Sequence, residues 1–350
     1  MIVLAGGDIV LPDRILTNAS LVIDRGRIAA IETTRSLPSG TSIVDVRDAL
    51  VVPGFIDVHV HGIEGYDTLD GGDAIASIAS RLPRYGVTAF CPTTVACDPA
   101  GLRAVLDQVG RARTGRSHGS ARVLPAHLES NFINPDYNGA QPRACLRLPN
   151  DDRGEGQFTG RDILATIESG RADVGIITIA PELPGTLDLV PALVRAGHRV
   201  SLGHSGADFE QAVAAIDAGA RHATHLFNRM TPMMHRAPGL VGAILSHDEV
   251  NAELICDGFH VHPFHSREYL AEVVRPAVEE GTRKSGRSIA DVSFICPVFI
   301  AVGDTEEERA AGLGRLTPVR AGAARRLQGA VELEVRRRAA EEPHRQVVAA

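Results

Sequence analysis

Apolar and polar residues alternate along the first 52 residues, in runs such as MIVLAG, DIVLP, ASLVIDRGRIAAIE and SIVDVRDALVV. A period of two predicts β-strands, because successive side chains on a strand point to opposite sides of the sheet. Residues Asp24 to Gly26 have the composition of a hairpin turn between two of these strands. Residues 1–52 are therefore predicted to form a small β-domain.

From Pro53 onward, short apolar runs alternate with longer amphipathic stretches. GFIDVHVH precedes DAIASIASRLPRYG, VTAFCPTT precedes PAGLRAVLDQVGRAR, and the same order recurs as far as NAELICDG. Strands that are apolar on both faces and separated by helices predict a parallel sheet covered by helices. The number of repeats favours a closed (β/α)8 barrel of the TIM type over an open doubly wound sheet. We expect this α/β barrel to occupy residues 53–305.

The last part of the chain has a different composition. Residues 306–350 are rich in Ala, Arg and Glu and lack a strand–loop–strand pattern. We expect a divergent tail there that is either helical or poorly ordered.

Composition and charge exclude several classes of protein. The chain has 350 residues and a net charge of -7, so it can bury a large core and has no basic surface for nucleic acid. It has no run of about 18 apolar residues, and its N-terminus lacks the basic segment of a signal peptide, so neither a membrane span nor export is expected. Five scattered cysteines indicate reduced thiols in a cytoplasmic protein.

Ionisable side chains recur at the ends of the predicted barrel strands, which in a parallel barrel carry the functional groups. They are His59, His61, Glu129, His204, His225, Asp257 and His260. His59 and His61 share one face of a strand because side chains alternate. One buried histidine is usually a hydrogen-bonded core residue, but so many ligand-type residues at one mouth are hard to explain by packing. Imidazole and carboxylate together favour Zn, Fe or Mn over Ca or Mg.

The motifs occur in an order that is typical of one enzyme family: PGFIDVHVHG, GVTAFCPTT, HLES, NPDYNGAQP, TIAPE, GHSGAD, THLFNRM, HRAPGLVGA and DGFHVHP. Over residues 1–265 this order resembles the N-acetylglucosamine-6-phosphate deacetylases of the amidohydrolase superfamily. The resemblance implies a barrel with a small β-sandwich domain, here incomplete at the C-terminus. It also implies hydrolysis of the acetamide of N-acetylglucosamine 6-phosphate to glucosamine 6-phosphate and acetate.

The resemblance assigns metal ligands residue by residue. Three residues match the ligands of the main metal site: Glu129, His204 and His225. His59 and His61 match a pair that holds a second ion, with Glu129 bridging the two. The only lysine, Lys284, is far from any early strand end, so a carboxylated lysine is not available as the bridge. We expect one or two divalent transition-metal ions, Zn or Fe.

Substrate contacts are implied in the same way, for Gln141, Asn228, Arg229, Arg236 and His260. Arg236 is the expected phosphate partner, because a guanidinium binds phosphate through two parallel hydrogen bonds. His260 is also expected to stabilise the oxyanion that forms when metal-activated water attacks the acetamide. An aspartate then moves the proton to the departing amine, and Asp304 is the nearest candidate. The expected partner is an amino-sugar phosphate, and relatives suggest a homodimer.

Three departures from the family pattern leave alternatives open. Ser130 and Asn131 replace a Gly-Pro pair, Gln141 replaces a histidine, and the Thr-Asp-Ala motif of the catalytic aspartate is not intact, so that Asp304 fits a helix cap equally well. From about residue 283 the chain departs altogether, by a frameshift, a truncation or a divergent subgroup. The alternatives are an impaired member that binds metal and sugar phosphate without turnover, and a deacetylase for another N-acyl sugar such as N-acetylgalactosamine 6-phosphate.

Overall fold

The computed structural model describes residues 1–11, 15–32, 41–47, 49–115, 119–151, 158–255 and 260–262, and the backbone of 347–349. These residues fall into two compact units. The first contains residues 1–55, 262 and 347–349, and the second contains residues 56–261. Every predicted site residue that the structure describes lies in the second unit.

The first unit is a six-stranded sheet that follows the alternating pattern of the sequence. Its strands are β1 (Ile2–Val10), β2 (Ile15–Asp24), β3 (Arg27–Glu32), β4 (Ser42–Asp45), β5 (Leu50–Val52) and the terminal strand Val347–Ala349. β1 pairs antiparallel with β2, and its other edge pairs parallel first with β4 and then with β5. The described part of this unit contains one sheet, so a sandwich stays a prediction.

The predicted hairpin turn between β2 and β3 is confirmed. Asp24 pairs with Arg27 across the turn. The two residues between them, Arg25 and Gly26, have φ values of 48° and 73°. Positive φ at both central positions is what a two-residue turn needs to match the twist of its strands.

The second unit is built on a second sheet, with a small antiparallel pair beside it. The strands are β6 (Phe55–Val60), β7 (Gly62–Ile63), β8 (Tyr66–Asp67), β9 (Val87–Thr94), β10 (Arg122–Val123), β11 (Ala126–Glu129), β12 (Val174–Ile179), β13 (Arg199–Leu202), β14 (His222–Ala223) and β15 (Asn251–Ala252). β10 and β11 lie end to end against β9, so eight strands fill seven successive positions from β6 to β15. From β9 to β15 the pairs are parallel and follow chain order.

Helices connect the successive strands, as the βα pattern predicts. They are α1 (Ala74–Arg81), α2 (Pro99–Thr114), α3 (Gly160–Ser169), α4 (Thr186–Arg195), α5 (Phe209–Asp217) and α6 (Gly239–Leu245). α3 and α5 begin with reciprocal capping boxes, Thr159 with Asp162 and Asp208 with Gln211. Among the described residues, no helix combines the length and the apolar character that a membrane crossing requires.

The parallel sheet curls until its first and last described strands approach each other. His59 Nδ1, in β6, lies 2.7 Å from Oε2 of Glu253, the residue that follows β15. Seven positions and this curvature agree with a barrel fold. An eighth strand would fall in the part of the chain that the structure does not describe, so closure of the barrel stays a prediction.

Phe90, in the middle of β9, is fully buried. We expect Phe90→Ala to lower the free energy of unfolding by about 3–5 kcal/mol, because the cavity adds to the lost burial. Urea denaturation followed by circular dichroism measures this. Ile56→Ala, at a β6 residue that is 60% exposed, is the control and should cost less than about 1 kcal/mol. Equal losses in the two variants would contradict the placement of Phe90.

Candidate metal centre

Glu129, the last residue of β11, lies between two pairs of histidines and is buried. Its Oε1 atom lies 2.9 Å from His204 Nε2 and 3.0 Å from His225 Nε2. On the other side, Oε1 is 3.7 Å from His59 Nε2 and Oε2 is 3.3 Å from His61 Nε2. The structure thus brings the five residues predicted as metal ligands to one point. They form two possible ligand sets that share Glu129.

Strand geometry positions His59 and His61, and strained turns position His204 and His225. His59 lies in β6 and His61 follows that strand, so both rings leave the same face. His204 and His225 each come two residues after a strand and have φ values of 47° and 32°. The left-handed region is costly for residues other than glycine, and such strain concentrates at functional sites.

Hydrogen bonds direct two of the rings toward Glu129. His59 Nδ1 lies 2.7 Å from Glu253 Oε2, and His204 Nδ1 lies 2.8 Å from the carbonyl oxygen of Tyr137. An ionised carboxylate and a carbonyl only accept, so each Nδ1 donates its proton. In the neutral rings Nε2 then carries a lone pair, which is the state of a metal ligand.

The distances between ring nitrogens fit a shared ion. His59 Nε2 and His61 Nε2 are 3.1 Å apart, and His204 Nε2 and His225 Nε2 are 2.9 Å apart. Two lone pairs at this distance repel each other unless a cation lies between them. Nitrogens bound to one zinc-like ion at about 2.1 Å lie roughly 2.8–3.4 Å apart. The donor set therefore fits one or two transition-metal ions.

The charges of the site also favour a cation. Burial would raise the pKa of Glu129, but contacts with His204 and His225 hold that pKa well below its usual value. Burial lowers the pKa of His225, which keeps this ring neutral. At His59 burial opposes protonation, but the Glu253 and Glu129 carboxylates outweigh it and raise the pKa to about 9. Two buried anions thus favour a positive charge beside His59.

Gln141, which was expected to contact substrate, lies against the bridging carboxylate. Its side-chain amide nitrogen donates to Glu129 Oε2. The backbone N–H of Ala96 donates to Gln141 Oε1 at 2.7 Å, and this contact fixes which end of the amide faces Glu129. Gln141 thereby helps to orient the carboxylate.

Ser130 and Asn131, where the chain departs from the family pattern, anchor the loop after Glu129. Ser130 Oγ donates to the Thr178 carbonyl at 2.5 Å. Asn131 Nδ2 lies 2.7 Å from the carbonyl oxygens of both Cys97 and Cys145. The two polar residues therefore give this loop a defined path.

Glu182, in the TIAPE motif, ties together the loops that surround His204. Its carboxylate accepts from Asn134 Nδ2 at 2.9 Å, from Ser205 Oγ at 2.7 Å and from Gly206 N at 2.6 Å. Asn134 also donates its backbone N–H to the His204 carbonyl at 3.0 Å. These contacts hold the strained His204 turn in place.

Two other predicted substrate residues, Asn228 and Arg229, come shortly after the predicted ligand His225 in the chain. Asn228 is half-buried, and its backbone N–H donates to the His225 carbonyl at 3.0 Å. Arg229 is exposed and has a φ of 52°. Its side chain runs beside Gly139, as does the His204 ring. Both residues thus lie within a few residues of the metal centre.

The remaining predicted residues are two exposed side chains and one residue that the structure does not describe. Arg236 is exposed on the loop before α6, and His260 is exposed. Asp304 lies outside the described residues.

A layer of ionisable residues beneath the predicted ligands was not predicted as part of the site. It contains the buried residues His127, His222 and Glu253 and the half-buried Asp57. Burial raises the pKa of Asp57 to about 6 and lowers the pKa of His127 to about 3. One feature of the sequence could have indicated this layer. It is an ionisable residue in a predicted strand that is otherwise apolar on both faces, such as Glu253 in NAELICDG.

Different stretches of the chain match two kinds of known protein: amino-sugar-phosphate deacetylases and luciferase-like monooxygenases. The rat N-acetylglucosamine-6-phosphate deacetylase is 42% identical over 230 residues, which cover 63% of this chain and 54% of the rat protein. An N-acetylgalactosamine-6-phosphate deacetylase from Escherichia coli is 36% identical over 249 residues, which cover 71% of this chain and 62% of that protein. Residues 249–348 match the luciferase-like monooxygenase family. This chain therefore spans little more than half the length of the curated relatives that it matches.

A solved structure shares both sequence and fold with the chain. It is a mutant N-acetyl-D-glucosamine-6-phosphate deacetylase from Mycobacterium smegmatis in complex with N-acetyl-D-glucosamine-6-phosphate. The sequences are 30% identical and the TM-score is 0.66. The match covers 79% of this chain and 68% of the other.

Proposed function

Since the chain belongs to the N-acetylglucosamine-6-phosphate deacetylase family, we propose that it hydrolyses the acetamide of N-acetylglucosamine 6-phosphate. The products are acetate and glucosamine 6-phosphate. The observation that supports this proposal best is the buried carboxylate of Glu129 between two histidine pairs.

The reaction depends on metal held by the chain's own residues. His59, His61 and Glu129 would hold one ion, and Glu129, His204 and His225 would hold the other. When bound, such an ion lowers the pKa of a water molecule and polarises the carbonyl group that water attacks. Imidazole donors favour Zn or Fe over the hard ions Mg and Ca.

The remaining roles follow the sequence predictions. Arg236 binds the phosphate group, with Asn228 and Arg229 around the sugar. His260 donates to the developing oxyanion. Asp304 takes a proton from water and returns it to the amine that leaves.

An assay of acetate release from metal-loaded protein tests the proposal. N-Acetylglucosamine 6-phosphate should yield equal amounts of acetate and glucosamine 6-phosphate. N-Acetylgalactosamine 6-phosphate is the second substrate to compare, because one relative is named for it. Unphosphorylated N-acetylglucosamine is the control for the phosphate contact. Absence of acetate with all three sugars would refute the proposed activity.

One observation favours a second candidate, a protein that binds metal and sugar phosphate without turnover. Asp304 lies within residues 249–348, the stretch that matches luciferase-like monooxygenases. If this stretch does not supply the proton-transfer group, the metal centre persists but catalysis does not. Binding of N-acetylglucosamine 6-phosphate by calorimetry, without acetate release, would support this candidate.

Arg236→Ala should raise KM for N-acetylglucosamine 6-phosphate by about 10- to 100-fold, because a charge-assisted bond worth about 1.5–3 kcal/mol is lost. The value of kcat should change little, since the phosphate is held equally in the ground and transition states. Steady-state kinetics measures both constants. Arg103→Ala, at an exposed arginine of α2, is the matched control. An unchanged KM in Arg236→Ala would remove this residue from the phosphate site.

We also propose that the chain acts in the cytoplasm and as a homodimer. Cys91, Cys97 and Cys145 are free thiols, which supports a reducing compartment. The dimer rests on the resemblance to the family.

A further inference from the structure

Glu253 is a fully buried carboxylate beneath the metal centre, directly after β15. Its Oε2 atom lies 2.7 Å from His59 Nδ1 and accepts from the backbone N–H of His225 at 3.2 Å. Its Oε1 atom lies 2.8 Å from His222 Nε2. A buried charge is costly without such partners, and here every partner belongs to the centre or to the layer beneath it.

The backbone holds Glu253 in a fixed position. Its N–H donates to the Ala223 carbonyl at 2.9 Å, and its carbonyl accepts from Leu226 N–H at 2.8 Å. Both contacts tie residue 253 to β14 and to the turn that carries His225. The carboxylate is therefore a rigid acceptor for the ring of His59.

The neighbouring ring of His127 uses its nitrogens elsewhere. His127 Nδ1 donates to the Val58 carbonyl at 2.9 Å, and Nε2 accepts from Thr178 Oγ1 at 2.8 Å. The Glu253 carboxylate is thus left to His59, His222 and the backbone N–H of His225. Each of these contacts joins one nitrogen to one oxygen, so one proton satisfies each of them and no cation is required. The other ring nitrogen of His222, Nδ1, is buried and has no hydrogen-bond partner among the described residues.

We propose that Glu253 is a positioning residue, which keeps the proton of His59 on Nδ1 and so directs His59 Nε2 to the ion shared with His61 and Glu129. The inference rests on the proposed function only in that the centre binds metal. Partners of this kind fix the tautomer and orientation of a ligand, and their loss typically weakens metal binding 10- to 100-fold.

Two variants separate an acceptor role from a packing role. Glu253→Leu removes both oxygens. Glu253→Gln keeps one oxygen for His59. Its amide nitrogen then faces His222 Nε2, so His222 must carry its proton on Nδ1, a buried atom without a hydrogen-bond partner among the described residues, and this cost falls on His222 and not on the contact with His59. The glutamine variant should therefore retain most of the affinity that the leucine variant loses.

Zinc titration against a chromogenic chelator, without substrate, measures the affinity of each ion. We expect Glu253→Leu to weaken the ion at His59 and His61 by about 10- to 100-fold and Glu253→Gln to weaken it by less than tenfold. The ion at His204 and His225 should weaken clearly less than the ion at His59 and His61. His225 loses one backbone hydrogen bond of 3.2 Å, but its ring loses no contact and Leu226 still donates to the carbonyl of residue 253. His61→Ala identifies which ion is which.

Equal weakening of both ions, or no weakening, would overturn the proposal. If Glu253→Leu does not fold, histidine ¹H–¹⁵N spectra of the zinc-loaded wild type decide, with His59 assigned through His59→Gln. A His59 ring with its proton on Nε2 would refute the positioning role. A chain that binds both ions without releasing acetate leaves this inference standing while the proposed function fails.

Discussion

Glu129→Gln is expected to weaken metal binding strongly at both positions of the centre. The carboxylate is shared by both ligand sets, and the amide that replaces it has the same shape but no charge. Loss of an outer partner already weakens binding 10- to 100-fold, so loss of this direct ligand should weaken it at least about 100-fold. Acetate release should fall on the order of 10³-fold or more, because the ion supplies several kcal/mol of transition-state stabilisation. Elemental analysis after dialysis and the acetate assay measure the two effects.

The matched control is Glu168→Gln, the same change at an exposed carboxylate of α3. This variant should bind metal and release acetate like the wild type. If Glu129→Gln kept both ions, the centre would not be organised around this carboxylate, and the family resemblance would no longer support the proposed chemistry.

Strand periodicity and strand order made the convergence of the five predicted ligands predictable, and the family resemblance selected these five from the ionisable residues at the strand ends. His59 and His61 share a face through a period of two, and parallel strands bring their carboxyl ends to one side of a sheet. Glu129 ends β11, and His204 and His225 come two residues after their strands. Neither rule predicts the left-handed turns that direct the last two rings, because that conformation depends on contacts such as those of Glu182.

An ionisable residue in an apolar strand could indicate the supporting layer, but its contacts were not predictable, because they join residues far apart in the chain. Glu253 meets His59 across 194 positions, and no local pattern encodes that pairing. Gln141 shows the same limit in another way. The family pattern suggests a substrate contact at this position, and it does not indicate the contacts of the Gln141 side chain with Glu129 and with the backbone of Ala96.

In the first unit, the hairpin could be predicted because a short polar turn between two alternating strands can adopt only a few backbone conformations. The strands that pair with the other edge of β1 could not be predicted, because two strands, β4 and β5, share that edge one after the other. The match of residues 249–348 to another family overlaps the last deacetylase motif, DGFHVHP at 257–263, and includes the stretch after about residue 283 where the chain departs from the family pattern. The deacetylase pattern therefore does not describe the whole chain. The predictions for the first 255 residues can be compared with the described structure, whereas the prediction for Asp304 rests on sequence alone.

The two halves of the centre differ in exposure, and this difference should determine the order in which ions are lost. The side chains of His204 and His225 are 5% and 10% exposed, whereas that of His61 is 30% exposed. A chelator and water reach the His61 side more easily, and His204 is also held by Tyr137 and the Glu182 loops. We therefore expect the ion at His59 and His61 to leave first, with an affinity at least about tenfold weaker.

His61→Ala and His204→Ala test this order. His61→Ala should retain one tightly bound ion per chain and lose the weaker step of a zinc titration. His204→Ala should lose the tight step, and its acetate release should fall more than that of His61→Ala. Chelator titration with elemental analysis at each step distinguishes the two variants. If the tight ion survived in His204→Ala and was lost in His61→Ala, the assignment of the main site would be reversed. The tight site would then be the one at His59 and His61.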